Sequence, residues 1–556
     1  MPNLSIDRPN YLARWGYLKT ERSSWFSHWN EISTRLMPRA GRFFVQDRNK
    51  GNKRHNQIYD SSATQALSIL AAGMMSGMTS PARPWFRLTT GGDDLDSYQP
   101  VKIWLDQVTR LMLKIFQGSN TYRALHSMYE ELGGFGTAAS IMVPDFRSVI
   151  HHHPLTAGEY AITTDWRGDV ATLYREFQKT VGQLVKEFGY KACSPTVQNL
   201  YDRGNLEAWV TIIHAIEPRA DRDPSKNDPQ NMAWKSVYFE IGGNQQHCLR
   251  ESGFKRFPAL VPRWVVRGGD IYGESPAMTA LGDINQLQHQ QLRKAQGIDY
   301  KTRPPLQAPT SMKNRDVEML PGGITYVDSA NPHGGIRSAF EVNIDLQHLL
   351  GDIRDVRERI RSCFFADLFT MLANQTDTRM TATEVAERHE EKLLMLGPVL
   401  ERLQNELLDP LIENTFDAIM EAGIAPPAPD ELQGRPLNVD LIGMLAQAQR
   451  AVGTNSIDRF VGNLGAVAQF KPEVLDRFDS DRWAEVYSDS LSLDPQIIVP
   501  RDQAQAIREQ RAQAQAQAQQ AALAEQQAST AQKLASAKTD QPNALTDATR
   551  AFQGYS

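Results

Sequence analysis

Tyr272-Gly-Glu-Ser-Pro276 opens the stretch of sequence that decides the fold, which runs from residue 272 to residue 419. Ser275 carries a hydroxyl that can cap a helix, and proline is well tolerated at the first helical position, so we expect a helix that begins at Pro276. Its end is expected at Arg303-Pro-Pro305, because proline disfavours the α conformation of the residue before it. The apolar residues between recur at roughly helical spacing, at Met278, Leu281, Ile284, Leu287 and Leu292.

The residues after this helix change pattern several times. A Pro- and Gly-rich extended stretch comes first and contains Pro321-Gly-Gly323. A second helix is predicted from about Ile344, with charges of both signs on one face and apolar residues on the other, at Leu346, Leu349, Leu350, Ile353 and Ile360. A polar segment follows from Ala373 to Arg379, and Thr381-Ala-Thr-Glu384 fits the capping box of a third, longer helix that ends near Gly423.

Length and composition indicate a large protein with several cores. The chain has 556 residues, of which 41% are hydrophobic, and a formal net charge of −5. This negative charge argues against a protein that functions by binding nucleic acid tightly, since such proteins are normally basic. Three widely separated cysteines predict neither a disulfide framework nor a zinc site. There is no signal-peptide core, and no window reaches the ~18 apolar residues of a membrane span, so we expect a protein of the reduced cytoplasm.

The N-terminal half is predicted to be mixed α+β, within a fold that is α+β and mainly helical. Helical patterns occupy the first 45 residues and three further ranges, Asp60 to Met78, Pro100 to Phe116, and Thr121 to Leu132. Short β-like runs follow at Ala139 to Val143, Glu159 to Thr163, Ala171 to Phe177, Trp209 to Ile216, and Ser236 to Ile241.

The C-terminal part begins at a proline-rich boundary, Pro426-Pro-Ala-Pro429. Residues 430–500 are predicted to form a small helical bundle. Gln503 to Gln527 is almost pure Ala and Gln, both good helix formers, but strict alternation from Ala512 to Gln519 builds no apolar stripe. Two interpretations therefore stay open, a solvated and partly disordered tail or a helix stabilised by its neighbours in a ring. Ser529 to Ser556 is predicted to be disordered.

No motif predicts a catalytic, cofactor or metal site, so we do not expect an enzyme. The chain has no Gly-Lys dipeptide, which excludes a phosphate-binding loop of the ATPase type, and no Gly-x-Ser-x-Gly elbow. Gly134-Phe-Gly136 follows a helical run instead of a strand, so we expect a structural turn there. His151-His-His153 is predicted to lie in a surface or interface turn, because no second ligand cluster lies at metal spacing. His389 lacks the second histidine of a zinc-protease helix.

Short motifs spread in order along most of the chain resemble those of one known family. They are Tyr17-Leu-Lys-Thr-Glu-Arg22 with Trp25 and Trp29, Asp60 through Ser80-Pro-Ala-Arg-Pro-Trp-Phe86, Gly134-Phe-Gly136, Leu173-Tyr-Arg175 leading to Glu187-Phe-Gly189, Tyr272-Gly-Glu-Ser-Pro-Ala-Met278, Pro304-Pro-Leu306, Pro321-Gly-Gly-Ile-Thr-Tyr326, Ile360 to Phe369, Thr381-Ala-Thr-Glu-Val385 and Gly397-Pro-Val-Leu400. The chain thereby resembles the head-to-tail connector, or portal, proteins of short-tailed phages (podoviruses). The last ~130 residues resemble the family less tightly, in keeping with their weak compositional signal.

The resemblance implies a viral portal fold assembled as a ring of about twelve subunits at one capsid vertex. Residues 1–270 and the long helix at 383–424 would form the wing, the broad outer body. The two stem helices would be 271–302 and 345–366, and 303–344 between them would be a small β-containing clip. Residues 367–382 would form a tunnel loop that projects into the bore. A helical crown would follow at 425–500, then an Ala/Gln-rich helical barrel or tail at 501–540 and a disordered tail at 541–556.

The resemblance also implies a mechanical function. The ring would nucleate head assembly with capsid and scaffolding proteins and dock the terminase large subunit on its clip. Double-stranded DNA would pass through it without sequence specificity for packaging, retention and ejection, and tail adaptor proteins would later occupy the clip. The protein would be assembled in the host cytoplasm and located in the virion. The alternative class is an internal virion or scaffold-like structural protein without a channel, which leaves the Pro/Gly-rich insert between two helices unexplained. A nucleic-acid-processing enzyme is a third class, for which we find no metal or nucleotide motif.

The residues implied to line the channel are short and polar: Asn374, Gln375, Thr376, Asp377, Thr378 and Arg379. They can touch a passing backbone without reading its sequence, and Arg379 is the expected phosphate contact. Taken without the resemblance, the same composition favours an ordinary solvated connection between helices. The basic loop from Arg48 to Arg54 is expected to be solvent-exposed, with contact to packaged DNA as the alternative.

The second stem helix carries a run of charges. Asp355 and Arg359 lie one helical turn apart, so they can pair within the helix. Arg354, Arg357 and Glu358 can equally bridge adjacent subunits. The alternative for all five residues is an ordinary solvated helix face.

Overall fold

The structure is a computed structural model that describes residues 7–43, 57–91, 98–226, 228–242, 246–303, 305–307, 313, 337–338, 346–373, 395–432, 437–442, 460–468, 470–471, 473, 476, 478–484, 499 and 501–535. Contacts divide the chain into two units. The first comprises Met1–Asp96 and Trp104–Ser456, and the second comprises Ser97–Ile103 and Ile457–Ser556. Each unit is described by itself.

The N-terminal part of the chain is helical, as its periodicity predicts. Its elements are α1 (Arg8–Glu21), α2 (Ser23–Arg35), α3 (Ser62–Met78), β1 (Phe86–Thr89), α4 (Gln99–Gly118) and α5 (Thr121–Phe135). Helix α3 is rich in Ala, Gly and Met and packs against α5, since small side chains let two helices approach closely. The predicted helices at Asp60 to Met78, Pro100 to Phe116 and Thr121 to Leu132 are confirmed within about three residues at each end, whereas the helical pattern predicted for the first 45 residues ends at Arg35.

Two antiparallel sheets follow. The strands are β2 (Ala139–Asp145), β3 (Val149–Leu155), β4 (Tyr160–Thr164), β5 (Val170–Thr180), β6 (Trp209–Pro218), β7 (Trp234–Glu240), β8 (Arg250–Phe254) and β9 (Ala259–Leu260), with helices α6 (Val181–Phe188) and α7 (Pro195–Asp202) between β5 and β6. One sheet has the order β4-β5-β6-β7-β8 and the other β3-β2-β9. The five β-like runs predicted from the sequence are confirmed as β2, β4, β5, β6 and β7.

Each face of the five-stranded sheet is covered by helices. Tyr11, Trp15 and Leu18 of α1 share a buried cluster with strand residues such as Tyr174 and Phe239. Val181, Leu184 and Phe188 of α6 form the other cluster, with Ile212 and Leu249. Because successive strand residues point to opposite faces, the three central strands, β5, β6 and β7, contribute to both clusters.

The triple histidine lies in strand β3, so the predicted surface or interface turn is wrong. His152 is 1% exposed, whereas His151 and His153 lie on the opposite side of the strand with their rings 4.9 Å apart. Burial lowers the pKa of His152 to about 4, with the neighbouring histidines adding to the effect. The ring is therefore neutral at pH 7. Within the described ranges, no group of His, Cys, Asp and Glu could hold a metal ion.

Two long helices and a short helix follow the sheets. They are α8 (Pro276–Thr302), α9 (Leu346–Cys363) and α10 (Ala366–Ala373), with a two-residue strand pair, β10 (Leu306–Gln307) and β11 (Arg337–Ser338), between α8 and α9. The predicted start of α8 at Pro276 is confirmed. Leu350, predicted on the apolar face of α9, is 38% exposed instead. Phe365 has φ of 52° and separates α9 from α10. Residues 367–373 of the predicted tunnel loop are therefore helical here, and the rest of that loop lies outside the described residues.

The last described part of the first unit contains two helical segments and one strand. Residues 395–403 are helical and lead through a π-helical turn (Gln404–Leu408) into α11 (Asp409–Glu421). Strand β12 (Asn438–Leu441) then pairs antiparallel with β1, about 350 residues earlier in the chain. This strand corrects the prediction that residues 430–500 are purely helical. Helical propensity read locally does not detect a strand whose partner is distant in sequence.

The second unit contains α12 (Arg501–Ala535), a continuous helix of 35 residues. The Ala/Gln-rich segment is therefore helical, and the predicted disorder is wrong for Ser529–Ala535; residues 536–556 lie outside the described residues. The guanidinium of Arg508 donates to Asp481 at 2.6 Å, which ties α12 to the short helical segment at 480–484. Among the described residues, no helix combines the length and apolarity that a membrane span requires.

Candidate functional site at the paired long helices

The residues predicted on the second stem helix all lie on α9. Arg354, Asp355, Glu358 and Arg359 are exposed, and Arg357 is half-buried. The six predicted channel residues, 374–379, lie outside the described residues. The charged surface of α9 and its partner α8 therefore form the described part of the candidate site.

Helices α8 and α9 run antiparallel. Arg359 pairs with Asp283 of α8 at 3.0 Å between Nη2 and Oδ1, and Gln290 of α8 donates to Asp352. Residue numbers thus rise along one helix as they fall along the other. Arg359 also pairs with Asp355 one turn earlier on α9, as the i,i+4 spacing predicts. Beneath these polar contacts, both helices bury apolar residues, at Ile284, Leu287, Ile353, Val356 and Ile360.

A buried carboxylate fastens the pair of helices to the start of α3. Asp60 is only 5% exposed, and its Oδ2 lies 2.6 Å from Nη2 and 3.1 Å from Nε of Arg357. Gln291 of α8 donates to the same oxygen at 2.8 Å, and the amide of Ser62 donates to Oδ1 at 2.9 Å. The one carboxylate therefore bonds to α3, α8 and α9. Arg357 pairs within its own chain, and a bridge from Arg354, Arg357 or Glu358 to an adjacent subunit stays a prediction.

The electrostatics of this carboxylate follow from its contacts. Burial alone would raise the pKa of Asp60, but hydrogen bonds from Ser62 and Arg357, together with the charge of Arg357, lower it below its ordinary value of 3.8. Gln288 satisfies the neighbouring backbone: its Oε1 accepts from the amides of Tyr59 and Asp60, and its Nε2 donates to the carbonyl of Asp60 at 2.9 Å. The charged form is thus fully partnered despite its burial.

The N-terminus of α8 is anchored to the C-terminus of α5. Ser275 Oγ accepts from the amide of Met278 at 3.0 Å, the predicted cap, and donates to the carbonyl of Gly134 at 2.8 Å. Gly136 ends α5 with φ of 77°, and a Cβ built there would overlap the carbonyl oxygen of Gly273. Only glycine fits both demands. The predicted structural turn is confirmed only at Gly136, since Gly134 and Phe135 form the last turn of α5, and this helix end positions the start of α8.

Tyr272 joins this anchor to the N-terminal helices. Its ring packs edge-on against Trp29 with centroids 5.0 Å apart, and its Oη accepts from the amide of Ile162 at 3.2 Å. Trp29 donates from Nε1 to the carbonyl of Phe135 at 3.0 Å. Motifs that are up to about 250 residues apart in the sequence therefore meet at the N-terminal end of α8, which we call the root of α8.

A second buried ion pair lies beside the root and was not predicted from the sequence. Arg263, 2% exposed, pairs with Glu406 at 2.6 Å between Nη2 and Oε1. Arg263 also donates to the carbonyl of Gly168 at 2.8 Å. Glu406 lies in the π-helical turn, an irregularity that often marks functional positions in helices. Neither this pair nor the contacts of Asp60 with Arg357 and Gln291 have a local sequence signal, because these partners are distant along the chain.

Comparison with known proteins places these features in a family. The family model described as "Bacteriophage head to tail connecting protein" matches residues 8–499. A "Probable portal protein" of Bordetella phage BPP-1 is 68% identical over 550 residues, covering 99% of both chains. The "Portal protein" of Salmonella phage epsilon15 is 44% identical over 546 residues, covering 98% of both.

The chain is also similar to parts of solved phage-like particles. One is the virion of a native gene transfer agent particle, with 12% identity and a TM-score of 0.33 over 77% of this chain and 99% of that chain. Another is the neck of an empty gene transfer agent particle, with 11% identity and a TM-score of 0.37 over 78% of this chain and 91% of that chain. The family is established by the sequence matches alone. Because the family model covers most of the chain and both relatives align over nearly their whole length, the chain belongs to the family of bacteriophage head to tail connecting proteins, the portal proteins.

Proposed function

We propose that this chain is the subunit of a phage portal, a ring of about twelve copies at one vertex of the capsid through which double-stranded DNA enters and leaves. The observation that carries the proposal is the antiparallel pair α8 and α9, fastened through Asp60 to a large α+β body. Membership of the family supplies the function class. The ring nucleates head assembly with capsid and scaffolding proteins in the host cytoplasm and stays in the virion.

The paired helices suit the role of stem. With 27 residues, α8 is about 40 Å long at 1.5 Å per residue. Its root is held by the close approach of Gly136 and Gly273, so the helix direction is set by the body. The exposed surface of α9 mixes Arg354 with Glu358. A channel wall of mixed charge lets DNA slide. A wall of cations alone would bind the phosphates, with an affinity that increases with the number of cations.

The polar residues 374–379 are the proposed tunnel loop. They follow α10 in the sequence. Helix α10 packs against α3, so the segment starts at the body of the subunit. Short polar side chains contact a backbone without base recognition, and Arg379 supplies the phosphate contact. In this role the loop hinders back-slippage of packaged DNA.

The partners follow from the proposed order of events. The clip, residues 303–344, docks the terminase large subunit during packaging and tail adaptor proteins afterwards. Residues 425–500 form the crown, and α12 extends from it in the second unit. Copies of such a helix, polar on all sides, are stabilised by neighbours around a ring, which is the proposed barrel.

Negative-stain electron microscopy of the purified full-length chain tests the proposal. We expect end-on views of closed rings whose central hole admits duplex DNA. Monomers at every salt and protein concentration, together with absence of the protein from a capsid vertex in purified virions, would contradict it. ATPase and nuclease assays on the same preparation are expected to show no activity. Activity that copurifies with the rings would show that the protein is an enzyme.

A further inference from the structure

Three cations lie together on the face of the five-stranded sheet that α6 covers. Arg175 and Lys179 are four residues apart in β5, so their side chains leave the strand on the same face. Arg175 lies opposite His214 of β6. In the same row, Tyr238 of β7 lies between His214 and Arg250 of β8. Because directly opposite residues share a face, Arg250 joins the other two cations there, and we call them the three-cation cluster.

Aromatic rings hold these like charges close to one another. Arg175 Cζ lies 4.5 Å and Lys179 Nζ 5.8 Å from the centroid of the Phe177 ring. Lys179 Nζ and Arg250 Cζ lie 5.7 and 5.1 Å from the centroid of the Phe188 ring. Each ring therefore contacts two cations. A guanidinium that stacks by its face keeps the N–H donors at its edge available for an acceptor.

The donors of the three-cation cluster exceed its acceptors. Glu187 of α6 pairs with Lys179, and its Oε1 lies 3.9 Å from Nη2 of Arg250. Nε of Arg175 and Nε of Arg250 are buried, and neither has a hydrogen-bond partner among the described residues. Because a buried N–H without an acceptor is costly, two such donors in one cluster indicate an acceptor that the chain itself does not supply.

The neighbouring histidines show that the local potential is positive. Burial lowers the pKa of His153 to about 4, and the charges of Arg175 and Lys179 add to the effect. The pKa of His214 is also lowered, first by burial and then by the charges of Arg175 and Arg250. Both rings are therefore neutral at pH 7, and the three-cation cluster keeps an excess of positive charge that an anion would offset.

A phosphate group fits this arrangement better than a further carboxylate. The side chains of Lys179 and Arg250 are 25% and 39% exposed, so a solute can reach the cluster from solvent. Phosphate carries about −1.5 to −2 charges at pH 7 and three strong acceptor oxygens, whereas a carboxylate carries a single charge on two oxygens. Glu187 already supplies a carboxylate, and Glu159, a second one close to the cluster, pairs with Arg42 at 3.5 Å.

We propose that the three-cation cluster of Arg175, Lys179 and Arg250 binds a phosphate dianion. The two guanidinium groups donate to its oxygens from the β5 side and from the β8 side, and Lys179 adds a compact positive charge. The bound group joins strands at opposite sides of the sheet and so stabilises the body. The proposal goes beyond the proposed function and does not depend on the ring, because all three cations belong to one copy of the chain.

Equilibrium dialysis of the full-length protein with radiolabelled inorganic phosphate, in chloride buffers of constant ionic strength, tests this site. We expect saturable binding of one phosphate per chain, with unlabelled sulfate, another tetrahedral dianion, as a competitor. The thermal midpoint should rise with phosphate concentration, because a ligand of the folded state stabilises it. Phosphate that binds no more tightly than chloride overturns the proposal.

Further competitors distinguish the sources of the phosphate group. Displacement by adenosine monophosphate as well as by phosphate supports the terminal phosphate of a nucleotide, and displacement by phosphate alone supports a free ion. Both results uphold the site, since the two ligands present the same group. An oligonucleotide without terminal phosphates that binds the cluster where inorganic phosphate does not would identify a DNA-backbone contact and overturn the proposal.

Matched variants separate binding from a purely structural role. Glu187→Gln removes a competing carboxylate, so phosphate should bind about threefold or more tightly, a modest gain because this carboxylate is partly exposed and screened. Arg175→Gln and Arg250→Gln should each weaken binding at least about tenfold, since each removes charge-assisted hydrogen bonds. Arg147→Gln, at an exposed position between β2 and β3, is the control and should bind phosphate like the wild type.

The opposite signs of these effects keep the test decisive. Circular dichroism checks that each variant is folded, and if Arg175→Gln fails to fold, the partly exposed Arg250 carries the comparison. Wild-type affinity in Arg250→Gln, or weaker binding in Glu187→Gln, overturns the proposal. Water would then be the acceptor for the buried Nε groups.

Discussion

Arg357 and Asp60 are 297 residues apart in the sequence, yet Nη2 of the guanidinium lies 2.6 Å from Oδ2 of the carboxylate. This pair joins the second long helix to the start of α3, and Gln291 brings the first long helix to the same oxygen. The direction of both proposed stem helices relative to the body therefore depends on one buried carboxylate and its donors.

Replacing Arg357 with alanine is expected to loosen the long helices. The change leaves the buried Asp60 carboxylate without its cation, at a cost of about 1–3 kcal/mol, since Arg357 itself is partly exposed. Hydrogen exchange of peptides from α8 and α9 should quicken about tenfold or more, because 1.4 kcal/mol is a factor of ten. Lys301→Ala, at an exposed position in the last turn of α8, is the control and should leave exchange unchanged. Equal exchange in the two variants would show that the pair does not hold the helices.

Gly136→Ala is expected to destabilise the root of α8. A methyl group there overlaps the carbonyl of Gly273, and φ of 77° disfavours any residue with a Cβ. The loss should exceed about 1 kcal/mol and lower the thermal midpoint and the soluble yield. Gly282→Ala provides the contrast, because nothing lies within 4 Å of a Cβ at this exposed position of α8. That variant should match the wild type or gain up to about 1 kcal/mol. The same midpoint for both variants would contradict the role of the glycine contact.

Glu131 is expected to make stability fall as the pH rises. Burial raises the pKa of Glu131 from 4.5 to about 8, against the opposing hydrogen bonds from Thr156 and Ala157. The folded protein therefore holds a proton that the unfolded chain loses near pH 4.5. The associated stability is fully present below pH 4.5 and is lost as the pH rises through about 8.

Glu131→Gln tests this sign directly. The amide cannot ionise, so the thermal midpoint of the variant at pH 8.5 should lie about 1–3 °C above that of the wild type. At pH 5 the difference should shrink or reverse. Glu207→Gln, at an exposed position, removes a carboxylate that does not contribute to the pKa of Glu131 and should keep the wild-type pH profile. Parallel profiles for wild type and Glu131→Gln between pH 5 and 8.5 would show that Glu131 does not hold a proton in the folded state.

Replacing residues 374–379 with a Gly-Ser segment is expected to leave rings intact and to lower DNA retention in filled particles. The segment is the proposed tunnel loop, and the replacement removes its polar side chains and the Arg379 phosphate contact. Protected DNA per particle, measured after storage and nuclease treatment, provides the readout. Arg379→Ala should give a smaller loss that grows with salt concentration. Retention equal to that of the wild type would refute the valve role and leave the ring unaffected.

The amino-acid sequence by itself determined the local elements and the family. Ser275 and Pro276 begin a helix wherever they occur in such a pattern, since the cap and the fixed proline φ act within one turn. Short β-like runs separated by turns likewise sufficed for β2 and β4 to β7, and Asp355 and Arg359 pair because residues four apart lie about one helical turn apart.

Only the tertiary structure decided which distant groups meet. It brought Asp60 to Arg357, Arg263 to Glu406, and β12 to β1. It also buried His152 in a strand where the sequence predicted a surface turn. The physical reason is that local periodicity records the conformation and exposed face of a segment but carries no information on its partner. Buried charges, strand pairing and glycine contacts depend on that partner, because their free energies come from groups that the fold alone makes neighbours.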